Sequence, residues 1–154
     1  NIGILATKAT IKSGAYEDKI KKKNKTLNNL FPMACPAFVP LIEEGIIDNE
    51  IMDLTIKYYL DDFMKTHSID TLVLGCTHYP LKRIYPGVKI INSSKEAATA
   101  VNIELKKYDL LAEKRLGENV FYASDLSENF MNMIQLILGK YQEELNIRFK
   151  NLDL

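Results

Sequence analysis

The chain has 154 residues, 47% hydrophobic and 26% charged, enough apolar material for one core of ordinary domain size. Its 20 basic and 20 acidic side chains cancel to a formal net charge of +0, so no field favours nucleic acid or an anionic membrane surface. Two distant cysteines make no disulfide framework, and no apolar run reaches the roughly 18 residues of a membrane helix. The expectation is a reduced, cytoplasmic protein with neither nucleic-acid nor membrane partners. No signal peptide opens the chain; it starts at Asn1 directly on an apolar run, which reads as a processed chain or a fragment.

In chain order, Ile2-Gly3-Ile4-Leu5-Ala6 predicts a buried strand. Thr7 to Thr10 reads as a loop with two hydroxyls, and Ser13 as the N-cap of a helix over about Ala15 to Lys22. Lys19 to Lys25 is basic but lacks aromatics for base stacking, and reads as a solvated helix end. Phe31 to Ile42 carries Pro32, Pro36 and Pro40 among apolar residues. Proline donates no amide hydrogen bond, so this stretch reads as an irregular buried wall rather than an inner strand. Asp48 is the expected cap of a long helix reaching about Thr66, with Ile51, Leu54, Tyr58 and Phe63 near helical spacing.

Asp70 to Leu74 predicts the next strand, and Val88 to Ile91 another. Ser93 or Ser94 is the expected cap of a helix to Lys107, with Ala97, Ala98, Val101 and Leu105 on one face. Val120 to Ala123 reads as a fourth strand, followed by a helix ending at Leu138 before Gly139. A last short strand is expected around Leu145 to Phe149. Strands alternating with helices predict an α/β fold with a parallel sheet.

The chemistry concentrates at Gly75-Cys76-Thr77-His78-Tyr79-Pro80. Gly75 ends a strand and Pro80 suits the first turn of a helix, so Cys76, Thr77 and His78 sit on a strand-to-helix turn. Open α/β sheets bind ligands there. A helix N-terminus and a neighbouring imidazole both favour thiolate, for which nucleophilic attack and proton shuttling are the two available roles. The competing reading makes Cys76 a small buried hydrophobe and His78 a cap. Glu43 or Glu44 would orient His78 if the proline-rich wall folds over it, and otherwise is a surface carboxylate. Cys76, His78 and Cys35 have no recognised zinc spacing. Cys35 has no basic neighbour and reads as a core thiol. Thr7 and Thr10 either offer hydroxyls to a ligand carboxylate or simply cap a loop.

Four stretches in this order resemble the glutamate racemases of the cofactor-independent aspartate/glutamate racemase superfamily: Ile2 to Tyr16, Ala34 to Glu43, Leu74 to Leu81, and Phe121 to Asp125. The resemblance implies one of the two similar parallel-sheet, three-layer sandwich domains of that fold, over residues 1–115. Residues 116–154 would form a C-terminal return segment packed on a first domain that this sequence does not contain. It implies interconversion of L- and D-glutamate by two thiols on opposite faces of the α-carbon. No cofactor and no metal take part, and the D-glutamate supplies peptidoglycan.

By that resemblance Cys76 is one acid/base thiol, His78 assists it, and Glu43 orients His78. Thr77 and His78 would bind substrate, with Thr7 and Thr10 nearby. The family's Asp-Ser-Gly turn, Pro-Tyr-Gly loop and first Cys-Asn-Thr motif are missing, and Asn1 falls about where the family enters its second domain. Asn92 stands where the family often carries Asp. The fragment alone would then be inactive, and exposed apolar surface would call for the missing domain or a homodimer. Two other classes stand beside this one: a cysteine-nucleophile hydrolase or amidotransferase domain, and a non-catalytic interaction domain.

Overall fold

A computed structural model of the chain describes residues 1–27, 29–76, 85, 87–113, 120–138 and 146–151, the side chains of 129 and 135–138 excepted. The elements run β1 (Ile2–Ala6), α1 (Lys8–Lys12), α2 (Ala15–Lys23), β2 (Leu30–Ala34), α3 (Phe38–Glu43), α4 (Glu50–His67) and β3 (Thr71–Leu74). They continue through β4 (Lys89–Asn92), α5 (Ser93–Lys107), β5 (Val120–Ala123), α6 (Glu128–Leu138) and β6 (Asn146–Phe149).

Strand β1 is central. It pairs in parallel with β2 on one edge and β3 on the other, and β4 extends the sheet to the order β2-β1-β3-β4. Side chains alternate across it, as a strand requires. Leu5, Leu72 and Leu74 join Cys35, Phe38, Ile42, Leu60 and Phe63 in one buried cluster on the α3–α4 face. The alternate positions Ile4, Ala6 and Val73 are buried outside that cluster, turned to the face where Tyr16 of α2 lies. The fold is α/β, with helices covering the parallel sheet on both faces.

Several local expectations are corrected. Thr7 to Thr10 is not a loop: Thr7 caps a short helix, its Oγ1 accepting the Thr10 amide at 3.3 Å. Ser13 ends that helix, and Gly14 begins α2 at φ 63°, a left-handed conformation a Cβ disfavours. The proline-rich wall is ordered as β2 followed by α3. Pro32 is tolerated because β2 is an edge strand. Asn49, not Asp48, caps α4, and Asn92, not Ser93 or Ser94, caps α5, its Oδ1 accepting amides of Ser94 and Lys95 at 3.0 and 3.2 Å. The apolar stripe of α5 is unburied, with Val101 57% exposed. Strands β5 and β6 pair in parallel with each other and stand apart from the four-stranded sheet. No helix among the described residues is long and apolar enough to cross a membrane.

The close seat of α4 on the sheet depends on Gly3. A Cβ there would stand 2.6 Å from Leu72 Cδ2 and 2.9 Å from Phe63 Cε1. Gly3→Ala therefore overpacks the core, and is expected to destabilise the protein by about 1–3 kcal/mol in denaturant unfolding. An unchanged midpoint would mean that α4 can shift without cost.

Candidate active site

The carboxyl ends of the four strands emerge along one edge. Successive connections leave β1 and β3 in opposite directions, toward β2 and toward β4. In sheets with such a divergence a crevice forms outside the strand ends, here those of β1 and β3, and is the usual ligand position. The register fixes what borders it. Leu5 pairs with Leu74, so Thr7 and Cys76 each lie two residues beyond a matched pair. Ala6 pairs with Ala34, so Cys35 comes one residue beyond the matched end on the other side.

Backbone bonds hold these exits. The Gly75 amide donates to the Leu5 carbonyl at 2.8 Å, and the Cys35 amide donates to the Ala6 carbonyl at 3.0 Å. The Ser93 hydroxyl donates to the Leu74 carbonyl at 2.7 Å. Thr7 Oγ1 lies 3.0 Å from Thr10 Oγ1, so the two hydroxyls act as a pair at the mouth of β1. Beyond the turn, the Tyr85 hydroxyl donates to Asp61 Oδ1 on α4, tying the far end of this segment to the main core. Burial, and then the Asp61 carboxylate, push the Tyr85 phenol well above its ordinary range.

The two thiols differ. Cys35 is fully buried in the main cluster, and burial pushes it from the ordinary 9.0 up to about 12. It stays a neutral thiol at physiological pH, as expected of a core residue. Cys76 is half-buried and packs against the edge of the same cluster, at the crevice. Glu43 is exposed at the end of α3. Thr77 and His78 lie outside the described residues, as does any contact of His78 with Glu43 or a zinc site using His78. Among the described residues no three His, Cys, Asp or Glu side chains are grouped to hold a metal ion.

The register thus puts Thr7 and Cys76 just past the carboxyl ends of the adjacent strands β1 and β3, with Thr10 paired to Thr7. Sequence reasoning missed Tyr16, whose ring lies against Gly75, and the bond from Ser93 to the Leu74 carbonyl. No sequence period marks either, because both contacts join separate elements.

No family model matches the chain. Curated relatives do. A glutamate racemase of Persephonella marina is 46% identical over 143 residues, covering 90% of this chain and 52% of its own length. One of Aquifex aeolicus is 41% identical over 147 residues, covering 92% of this chain and 54% of its own length. Among solved structures, the glutamate racemase of Francisella tularensis in complex with D-glutamate superposes with a TM-score of 0.84 at 34% identity, over 99% of this chain and 58% of that one. A Bacillus anthracis glutamate racemase isoform gives a TM-score of 0.85 at 28% identity, over 99% and 58%. The chain is homologous to the glutamate racemases along nearly its whole length, and spans about half the length of the curated relatives it matches.

The contrast in burial predicts a labelling pattern. At near-neutral pH iodoacetamide is expected to modify Cys76 in the native protein, and Cys35 only after unfolding. The raised Cys35 value also has a pH signature. The folded state holds that proton more tightly than the unfolded chain, so the stabilisation is complete below 9.0 and is lost as pH rises toward about 12. Cys35→Ala should flatten that alkaline decline, measured by denaturant midpoints across the range. Rapid native labelling of Cys35 would contradict the burial.

Proposed function

We propose, with homology to the glutamate racemases as premise, that this chain is the C-terminal, second-thiol half of an amino-acid racemase interconverting L- and D-glutamate. The observation that carries the reading is the position of Cys76. It is half-buried just past the carboxyl end of β3, the strand paired with the one that leads into the Thr7–Thr10 pair. A thiol there can reach one face of a bound α-carbon. The α-proton of an amino acid is weakly acidic, so the sulfur must be held at contact distance and shielded from water. On this reading Cys76 removes or returns the proton on one face. A thiol supplied by a first domain serves the other.

His78 assists Cys76, Thr77 and His78 bind substrate, and Glu43 orients His78. Thr7 and Thr10 lie near the substrate carboxylate. No cofactor or metal is required, because the thiol pair handles both proton transfers. The homologue solved with D-glutamate supports glutamate as ligand. Peptidoglycan precursor synthesis in the cytoplasm, and hence the cell wall and cell shape, is the corresponding role.

Residues 1–115 form the second racemase domain on this reading, and 116–154 the return segment on the first. The exposure of Tyr122 at 61% and Phe149 at 59% is what such a segment would show without its partner. Apolar exposure on α4, at Ile51, Leu54 and Tyr58, leaves room for a homodimer. The hydrolase and interaction-domain readings draw no support from the relatives named above.

Cys76→Ser in the full-length enzyme is expected to lower racemisation in both directions by at least about 10²-fold, the usual scale of a lost acid/base group. Solvent deuterium incorporation at the α-carbon should fall with it, followed by mass spectrometry. Retained turnover would reject Cys76. The 154-residue chain by itself is expected not to racemise glutamate, because one thiol serves one face. Turnover by the purified chain would reject the two-thiol division.

A further inference from the structure

We infer that Tyr16 is a positioning residue for Cys76, acting through Gly75; the inference deepens the racemase reading and rests on it for its catalytic consequence. Gly75 is the residue between β3 and Cys76, and it is held at its amide and at the side where a Cβ would stand. Its amide is bonded to the Leu5 carbonyl at 2.8 Å, and the preceding carbonyl accepts the Ser93 hydroxyl at 2.7 Å. Its Cα face is closed by the Tyr16 ring. A Cβ placed there would stand 2.9 Å from Tyr16 Cε2, 3.1 Å from Tyr16 Cζ and 3.2 Å from the Ala6 methyl. Any side chain at this position must push the ring away or push the backbone of the Cys76 turn outward.

The ring is held in turn by the segment that carries the threonine pair. Thr7 caps α1, the Ser13 hydroxyl donates to the Thr10 carbonyl at 2.7 Å, and Gly14 at φ 63° turns the chain into α2. Tyr16 is the second residue of that helix. One short segment therefore supplies both the Thr7–Thr10 wall of the crevice and the stop against which the Cys76 turn rests. Tyr16 sets the spacing between the two walls. A rigid aromatic suits this role because its packed ring has few alternative positions. Misplacing a reacting group by about 1 Å can cost 10²-fold in rate.

The test uses the full-length enzyme with two readouts: kcat and KM for racemisation, and the rate of iodoacetamide modification at Cys76. Protection of Cys35 reports an intact core in each variant. Gly75→Ala is expected to lower kcat by about 10²-fold with a smaller change in KM, and to change the Cys76 modification rate. Adding Tyr16→Ala to Gly75→Ala removes the clash and is expected to recover most of both readouts. Tyr16→Phe keeps the ring and should behave nearly as wild type, whereas Tyr16→Ala alone should lower kcat. The pair Tyr16→Ala and Tyr16→Phe decides the matter even where Gly75→Ala fails to fold. The inference is overturned if the double variant is no better than a folded Gly75→Ala, or if Tyr16→Ala and Tyr16→Phe are equivalent. Absence of racemisation in the wild type would instead reject the racemase reading, and the Cys76 modification rates would still judge the role of Tyr16.

Discussion

The last two carbonyls of β1 organise everything at the carboxyl edge. Leu5 accepts the amide of Gly75 on one side, and Ala6 accepts the amide of Cys35 on the other. Both strand residues are fully buried, so neither carbonyl can turn to water instead. An unpaired group there would cost about 1–3 kcal/mol. The two bonds therefore pin the exits of β2 and β3 to the exit of β1. A slip of one residue would also turn Leu5 and Ile4 to the wrong faces of the sheet, so burial and backbone bonding enforce the same register. The crevice inherits its geometry from that agreement.

Burial alone separates the two cysteines. Each follows a parallel strand, and each touches the same apolar cluster. Cys35 is enclosed by it, and the loss of hydration holds its proton on through the physiological range. Cys76 stands at the rim and keeps access to the crevice. The same side chain thus serves as enclosed packing at one strand end and stays partly exposed at the other.

The main core lies on the α3–α4 side of the sheet, although α4 also exposes Ile51, Leu54 and Tyr58; α5, β5 and β6 leave Val101, Tyr122 and Phe149 in the open. On the proposed reading Tyr122 and Phe149 meet the first domain, which also brings the second thiol.

Much of this was legible in the residues. The continuous apolar runs of β1 and β3 and the glycine closing β3 are local signals, whereas on α4 only Phe63 of the expected stripe is buried, with Met52, Leu60 and Met64, and Ile51, Leu54 and Tyr58 are exposed. The local signals specify alternating strands and helices, and with them a parallel sheet and a cysteine on its carboxyl edge. The caps are less legible. Asn49 and Asn92 took positions read as belonging to Asp48 and to Ser93 or Ser94, since all these side chains accept amide bonds equally well and packing alone chooses among them. The proline-rich stretch became an edge strand because the outer side of β2 needs no donor, a fact about its neighbours rather than about proline. The separation of β5 and β6 from the main sheet, the ring of Tyr16 against Gly75 and the unequal burial of the two thiols were decided only in three dimensions. Each depends on which distant segments come to lie side by side. Sequence determines what a residue can bond or bury, and the assembled tertiary structure determines whether anything stands close enough to be bonded or to exclude water.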